Sequence, residues 1–262
     1  MQFKKILISL VALLLLCSCV SSGSKKSHVD PRTETLNQVA NGSAEKINLE
    51  LGVGYLKRGK VGDVDVALSK FKKAVLINPK YALAHSMLAN VYDQKGLFVS
   101  AEKHYKLSIK HNNGSPDIIN NYANFLCQRG SYNLAIEKYL QVVKNPQYKT
   151  PASAYENAGV CAIKAKDLLQ AEGFFRKVLN INNKQANSLY NLMLIYLDKN
   201  NHMKARAFLQ RLEQVVRPTP EMLVSGYKIE KALNNQYLAN KYLTTLKSEY
   251  PEFKFKSLKN IK

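Results

Sequence analysis

The sequence predicts an all-α chain of stacked helix pairs, and three observations carry that prediction. Hydrophobic residues make up 46% of the 262 positions, enough to bury a sizeable core and too many for a disordered chain. An alanine recurs at Ala67, Ala101, Ala135, Ala171, Ala205 and Ala239, at intervals of 34, 34, 36, 34 and 34 residues. A fixed period of this size marks a repeat architecture. Around each alanine the apolar residues fall at offsets that share one helical face and do not alternate as a strand would.

Taken from the N-terminus, the chain first shows a targeting segment. Lys4 and Lys5 precede an apolar run of eleven residues, Ile6 to Leu16. That run is too short to cross a bilayer and has the length of a signal-peptide core. It ends in Leu16-Cys17-Ser18-Cys19, which resembles the bacterial lipobox: a leucine three residues before a cysteine and a small residue just before it. The resemblance implies a lipoprotein signal peptide over 1–18 and lipidation of Cys19, although Cys17 stands where a small or hydroxyl residue is usual. An ordinary signal peptide cut nearby is the plainer alternative. A diacylglycerol thioether and an N-acyl chain together exceed the two signals that stable anchoring needs. Val20 follows Cys19, and by resemblance to the enterobacterial sorting rule this implies the outer membrane, with the domain facing the periplasm.

The formal charge is +20 and the pI about 9.7. Removing Lys4 and Lys5 with the signal peptide leaves +18. Such a charge calls for an anionic partner. Export excludes nucleic acid and leaves anionic lipid, cell-wall polymer or an acidic protein surface. The lysines concentrate on the second helices and the tail, as at Lys70, Lys73, Lys103 and Lys106, where a solvated convex face is the simplest reading.

Residues 19–44 hold the lipidated cysteine and a tether rich in Ser, Gly, Asn and Lys. Residues 45–251 hold the six repeats, and 252–262 form a basic tail expected to fray. Within each repeat, Phe71, Tyr105, Tyr139, Phe175, Leu209 and Leu243 lie four after the alanine. Seven after it lie Ala74, Ser108, Val142, Val178, Leu212 and Leu246. Five before it come Gly62, Gly96, Gly130, Lys166, Asn200 and Asn234, most of which tolerate the left-handed turn that a tight helix connection needs. The first repeat carries a three-residue insertion before Gly62. Leu51-Gly52-x-x-Tyr55, then Ala67-x-x-x-Phe71-x-x-Ala74-x-x-x-x-Pro79, is similar to the tetratricopeptide pattern. The resemblance implies a right-handed superhelix of six helix-turn-helix repeats. In the last repeat Gly226, Tyr227 and Glu230 stand at packing positions, as expected of a terminal cap with one solvent face.

No catalytic or metal-binding constellation appears. His104 and His111 sit seven apart on one helix and read as a solvated face; His85 reads as a packing residue. There is no Gly-rich phosphate loop and no Gly-x-Ser-x-Gly elbow. The expectation is therefore a binding protein with no cofactor. Cys127 and Cys161 lie in the first helices of repeats three and four, which stand side by side in such a stack. In an oxidising periplasm a disulfide between them is feasible, two buried thiols being the alternative.

The groove of a tetratricopeptide superhelix is lined by first helices. Here it offers Leu49, Val53 and Leu56, then Ser86, Asn90 and Gln94, then Asn120, Asn124 and Gln128. Glu156, Val160 and Lys164 follow, then Tyr190, Leu194 and Leu197. The middle is an amide ladder suited to the backbone of an extended peptide, and both flanks are apolar.

The segments Asn120-Asn121-Tyr122-Ala123-Asn124-Phe125-Leu126-Cys127 and Glu156-Asn157-Ala158-Gly159-Val160-Cys161-Ala162 are similar to those of the type IV pilus biogenesis lipoproteins called pilotins, the PilF/PilW family. The family commonly has Gly where Ala123 stands. The resemblance implies an outer-membrane protein that binds subunits of the pilus secretin and helps them localise or assemble, without catalysis. An outer-membrane repeat adaptor for β-barrel assembly or cell-wall synthesis is the alternative.

Overall fold

A computed structural model describes residues 42–112 and 114–253. The signal peptide, Cys19, the tether up to residue 41 and the tail from residue 254 onward lie outside the described residues. Among the described residues there are twelve helices and no strand. They are α1 (Ala44–Arg58), α2 (Asp63–Ile77), α3 (Ala82–Gln94), α4 (Phe98–His111), α5 (Pro116–Gln128) and α6 (Tyr132–Val143), followed by α7 (Pro151–Lys164), α8 (Leu168–Ile181), α9 (Ala186–Asp198), α10 (His202–Glu213), α11 (Pro220–Ala232) and α12 (Gln236–Glu249). Each odd-numbered helix packs most extensively on the helix that follows it and then on the one before it. The result is six helix pairs stacked in sequence, a tetratricopeptide superhelix.

The alanine ladder explains the stacking. All six ladder alanines are wholly buried. So are five of the residues four after them and all six of the residues seven after them; Leu243 alone is half-buried. A methyl group at the ladder position lets two helices approach, and the larger ring or Leu one turn on fills the space beside it. Gly52 and Gly159 do the same from the facing helix. A Cβ on Gly159 would sit 2.8 Å from the Phe175 ring, and one on Gly52 would sit 2.4 Å from the Phe71 ring.

All six residues five before the alanine have positive φ, from 54° at Asn200 to 84° at Gly62. Lys166 takes this conformation as well, at φ 62°. It closes the connection between α7 and α8, where its N–H reaches Ile163 O and Asp167 N–H reaches Ala162 O. The insertion in repeat one lengthens the α1–α2 turn. Arg58 then secures that turn by a two-point ion pair to Asp63, Nε to Oδ2 at 2.8 Å, and Lys60 N–H donates to the same oxygen at 2.9 Å.

The 36-residue interval between Ala135 and Ala171 falls in the α6–α7 turn, residues 144–150. Tyr148 folds inward there and is 8% exposed, so the two additional residues enlarge the core between repeats three and four.

The last repeat departs from the expected cap. On α11, Met222, Leu223, Val224, Gly226 and Ile229 are buried, and Glu230 is only 1% exposed. The Glu230 carboxylate is held by Arg206 of α10, with Nε to Oε1 at 2.8 Å and a second contact from the other guanidinium nitrogen. The solvated element of the cap is α12, where only Ala239 and Leu246 are buried.

The histidines also depart from expectation. His104 and His111 do not form a solvated face; both turn onto His85 of α3. His85 Nε2 lies 3.0 Å from Pro79 O, so it carries hydrogen there, and His85 Nδ1 then accepts from His104 Nδ1 at 2.9 Å. The His111 ring stacks on His85 at 5.8 Å and Tyr92 on His104 at 5.3 Å. Burial, followed by His85, Lys103 and Lys72, holds His104 down to about 4 from 6.5. Burial, His85, Lys110 and Lys80 depress His111 as well. A histidine whose folded pKa is lowered gives stability that is complete above 6.5 and is lost as the pH falls towards 4. Thermal melts should therefore show the midpoint dropping across that interval. His104→Gln, which keeps a donor for His85, should flatten the drop; an unchanged profile would show that this cluster does not govern it.

Candidate peptide-binding groove

The groove is built from the odd-numbered helices, and two buried tyrosines of the second helices organise its middle. Tyr105 Oη donates to Asn90 Oδ1, and Tyr139 Oη donates to Asn124 Oδ1 at 2.6 Å. Both tyrosines sit four after a ladder alanine, 3% and 2% exposed. Burial raises both phenols, with smaller contributions from Asp93 and Tyr148 respectively, so each hydroxyl keeps the proton that it donates here. Each asparagine is thereby fixed with its oxygen occupied and its NH2 free to donate. The sequence indicates amides at these positions; their orientation comes from the tyrosines fifteen residues later.

The ladder is not uniform. Gln94 and Gln128 are exposed at the groove mouth, whereas Asn120 is half-buried with its Oδ1 shut from water and unpaired. Ser86 Oγ, one repeat earlier in the same register, is also buried and unpaired. Glu156 is engaged by the next repeat, accepting from Gln185 Nε2 and Ser188 Oγ at 3.1 Å each.

The apolar flank of repeat one is corrected by the structure. Leu49 is 5% exposed and belongs to the core around Phe71, so it is not a groove residue. Val53 and Leu56 are half-buried and pack on the same cluster. The cause is Gly52: the Phe71 ring lies against it and turns this face of α1 inward. The flank at repeat five is more open. Tyr190, Leu194 and Leu197 are half-buried. Leu194 and Leu197, with Ile163, Leu168, Asp198 and Lys228, line a cavity of about 620 Å³.

Between the two flanks, α5 and α7 run side by side. Cys127 and Cys161 join them in a disulfide with Cα atoms 5.8 Å apart. Beside it lies a cavity of about 150 Å³ whose walls are Asn124, Gln128, Asn157, Val160 and Lys164, with Tyr139 beneath. The junction therefore offers amide donors, an exposed valine and a cation on a cross-linked pair of helices. Among the described residues no group of His, Cys, Asp or Glu is placed to hold a metal.

Comparison with known proteins follows this geometry. No protein-family model matches the chain. The type IV pilus assembly protein PilF of Pseudomonas aeruginosa is 26% identical over 203 residues, spanning 78% of this chain and 79% of PilF. The solved structure of Pseudomonas aeruginosa PilF matches with a TM-score of 0.67 at 25% identity, covering 79% of this chain and 92% of that one. The structure of PilW, described as a widely conserved type IV pilus biogenesis factor, matches with a TM-score of 0.68 at 23% identity. That match covers 80% of this chain and 95% of PilW.

Proposed function

We propose that this chain, a tetratricopeptide repeat protein similar to PilF and PilW, acts in type IV pilus biogenesis and binds a subunit of the pilus secretin in the first-helix groove. In this reading Cys19 carries the lipid that anchors the domain to the periplasmic face of the outer membrane. The repeat domain holds the partner while it localises or assembles. The mechanism is binding, with no bond made or broken.

The observation that carries the proposal is the cross-linked junction at α5 and α7. Exposed groups of complementary kinds, Gln128, Val160 and Lys164, sit beside the fixed amide of Asn124 on helices that cannot slide apart. A rigid groove loses less entropy on binding an extended segment than a flexible one.

The test compares secretin multimers on gels from cells carrying the parent chain, Val160→Glu with Lys164→Glu, or Cys19→Ala. Val160 and Lys164 are exposed, so the groove variant should keep its fold. It is expected to abolish co-purification with the secretin and to reduce multimers. Cys19→Ala is expected to release the chain from the outer membrane. Full multimers and full co-purification with the groove variant would sink the assignment.

A further inference from the structure

The turns that join each first helix to its second carry another surface. Two residues before the ladder alanine, at the start of the second helix, stand Val99, Leu169, Met203 and Tyr237, which are 86%, 78%, 62% and 78% exposed. None belongs to a core cluster. Leu169, Met203 and Tyr237 occupy the same register in three consecutive repeats, so they share one edge of the stack. Three large apolar side chains left in water at one period have no packing role.

The same three turns are basic. Lys166 lies three residues before Leu169, and Lys199 and Lys231 lie at the ends of the next two first helices; all three residues are exposed. Lys199 also pairs with Glu172 at 2.9 Å. The exposed acids at these turns are Asp167, which caps α8 through Gln170 N–H, and Asp198. Helix N-termini ordinarily attract acidic residues. Asp167 serves α8 in that way, but α10 and α12 begin at this edge with a neutral asparagine cap and no acid in the first turn. Their partial positive charge adds to that of the lysines.

Single apolar side chains spaced one repeat apart, on an edge that also carries exposed lysines, do not make a continuous channel for a polypeptide. They match a surface that is flat, anionic outside and apolar a few ångström below. With a chain charge of +20, the electrostatic complement is an anionic phospholipid layer. We propose that this edge, distinct from the groove, docks on an anionic phospholipid surface. Leu169, Met203 and Tyr237 enter the headgroup region, and the lysines meet the phosphates. The inference goes beyond the secretin reading and does not rest on it.

The experiment uses residues 19–262 with Cys19→Ser, so that no acyl chain contributes. Binding is followed by co-sedimentation with vesicles of equal parts phosphatidylglycerol and phosphatidylcholine, and with phosphatidylcholine alone. The parent should bind the anionic vesicles and not the neutral ones. Leu169→Ser with Met203→Ser and Tyr237→Ser should weaken binding about tenfold or more, and Lys166→Glu with Lys231→Glu by a similar factor. Lys70→Glu with Lys73→Glu, on the convex face, should have a smaller effect. Circular dichroism should be unchanged in every variant, since none of these side chains is buried. Equal binding to neutral vesicles would overturn the proposal. So would edge variants that bind like the parent, or self-association that those variants abolish with no vesicle binding in the parent. Loss of vesicle binding with secretin multimers intact would leave both readings standing as separate functions of separate faces.

Discussion

Replacing Cys127 and Cys161 together by serine is expected to lower the unfolding free energy by about 3–4 kcal/mol. The bond closes a 34-residue interval that contains α6, the long turn after it and most of α7. In the unfolded chain that closure removes many conformations, and in the folded chain the two Cα atoms already stand 5.8 Å apart. A repeat array divides into units coupled only to their neighbours, so the loss should concentrate at the middle of the stack. Urea titration with and without reductant reads the effect. The reduced parent should coincide with the double serine variant, and a parent indifferent to reductant would contradict the prediction.

Arg206→Leu is expected to cost about 3–5 kcal/mol, because it leaves the Glu230 carboxylate buried without its partner. Glu230 is 1% exposed and its side chain lies between α10 and α11, so water cannot replace the guanidinium. A second carboxylate is near. Burial raises Glu213, Tyr242 Oη donates to it at 2.9 Å, and the charge of Glu230 pushes it up further. Arg206 is what allows two acids to share this end of the stack. Changing Arg206 and Glu230 together to leucine should recover most of the loss, since apolar replacement of a buried ion pair is often neutral. A double variant as unstable as Arg206→Leu would show that the pair fixes geometry that packing cannot restore.

The scaffold was legible in the sequence because its rules are local. A ladder alanine, a ring one turn later and a left-handed residue five before each obey a short-range constraint. Lys166 is the instructive member, since only its place in the register shows its conformation. What escaped reading depends on contacts between repeats. Leu49 shares its spacing with true groove residues, yet Gly52 brings the Phe71 ring against α1 and turns that face inward. The three histidines meet across α3 and α4, and no spacing within one helix could reveal it. The Arg206–Glu230 pair had a signal that went unused. The residue just after the ladder alanine also reaches the next first helix at Glu102, bonded by Tyr122, and at Glu172, bonded by Tyr196. At Glu172, burial favours the neutral acid, but bonds from Tyr196, Lys199 and Arg176 prevail and hold it at about 2.

The tyrosine–asparagine pairs give the groove a grammar. With one tyrosine bond orienting each oxygen, Asn90 and Asn124 present their NH2 groups to acceptors, and in a polypeptide the acceptors that recur regardless of sequence are main-chain carbonyls. Helices of neighbouring repeats pack roughly 8–10 Å apart, and a polyproline-type chain advances about 3.1 Å per residue with three residues per turn, so successive amides would meet every third carbonyl. A partner recognised by that metre can change its side chains over evolutionary time and keep its place, provided it neither gains nor loses a residue between the two beats.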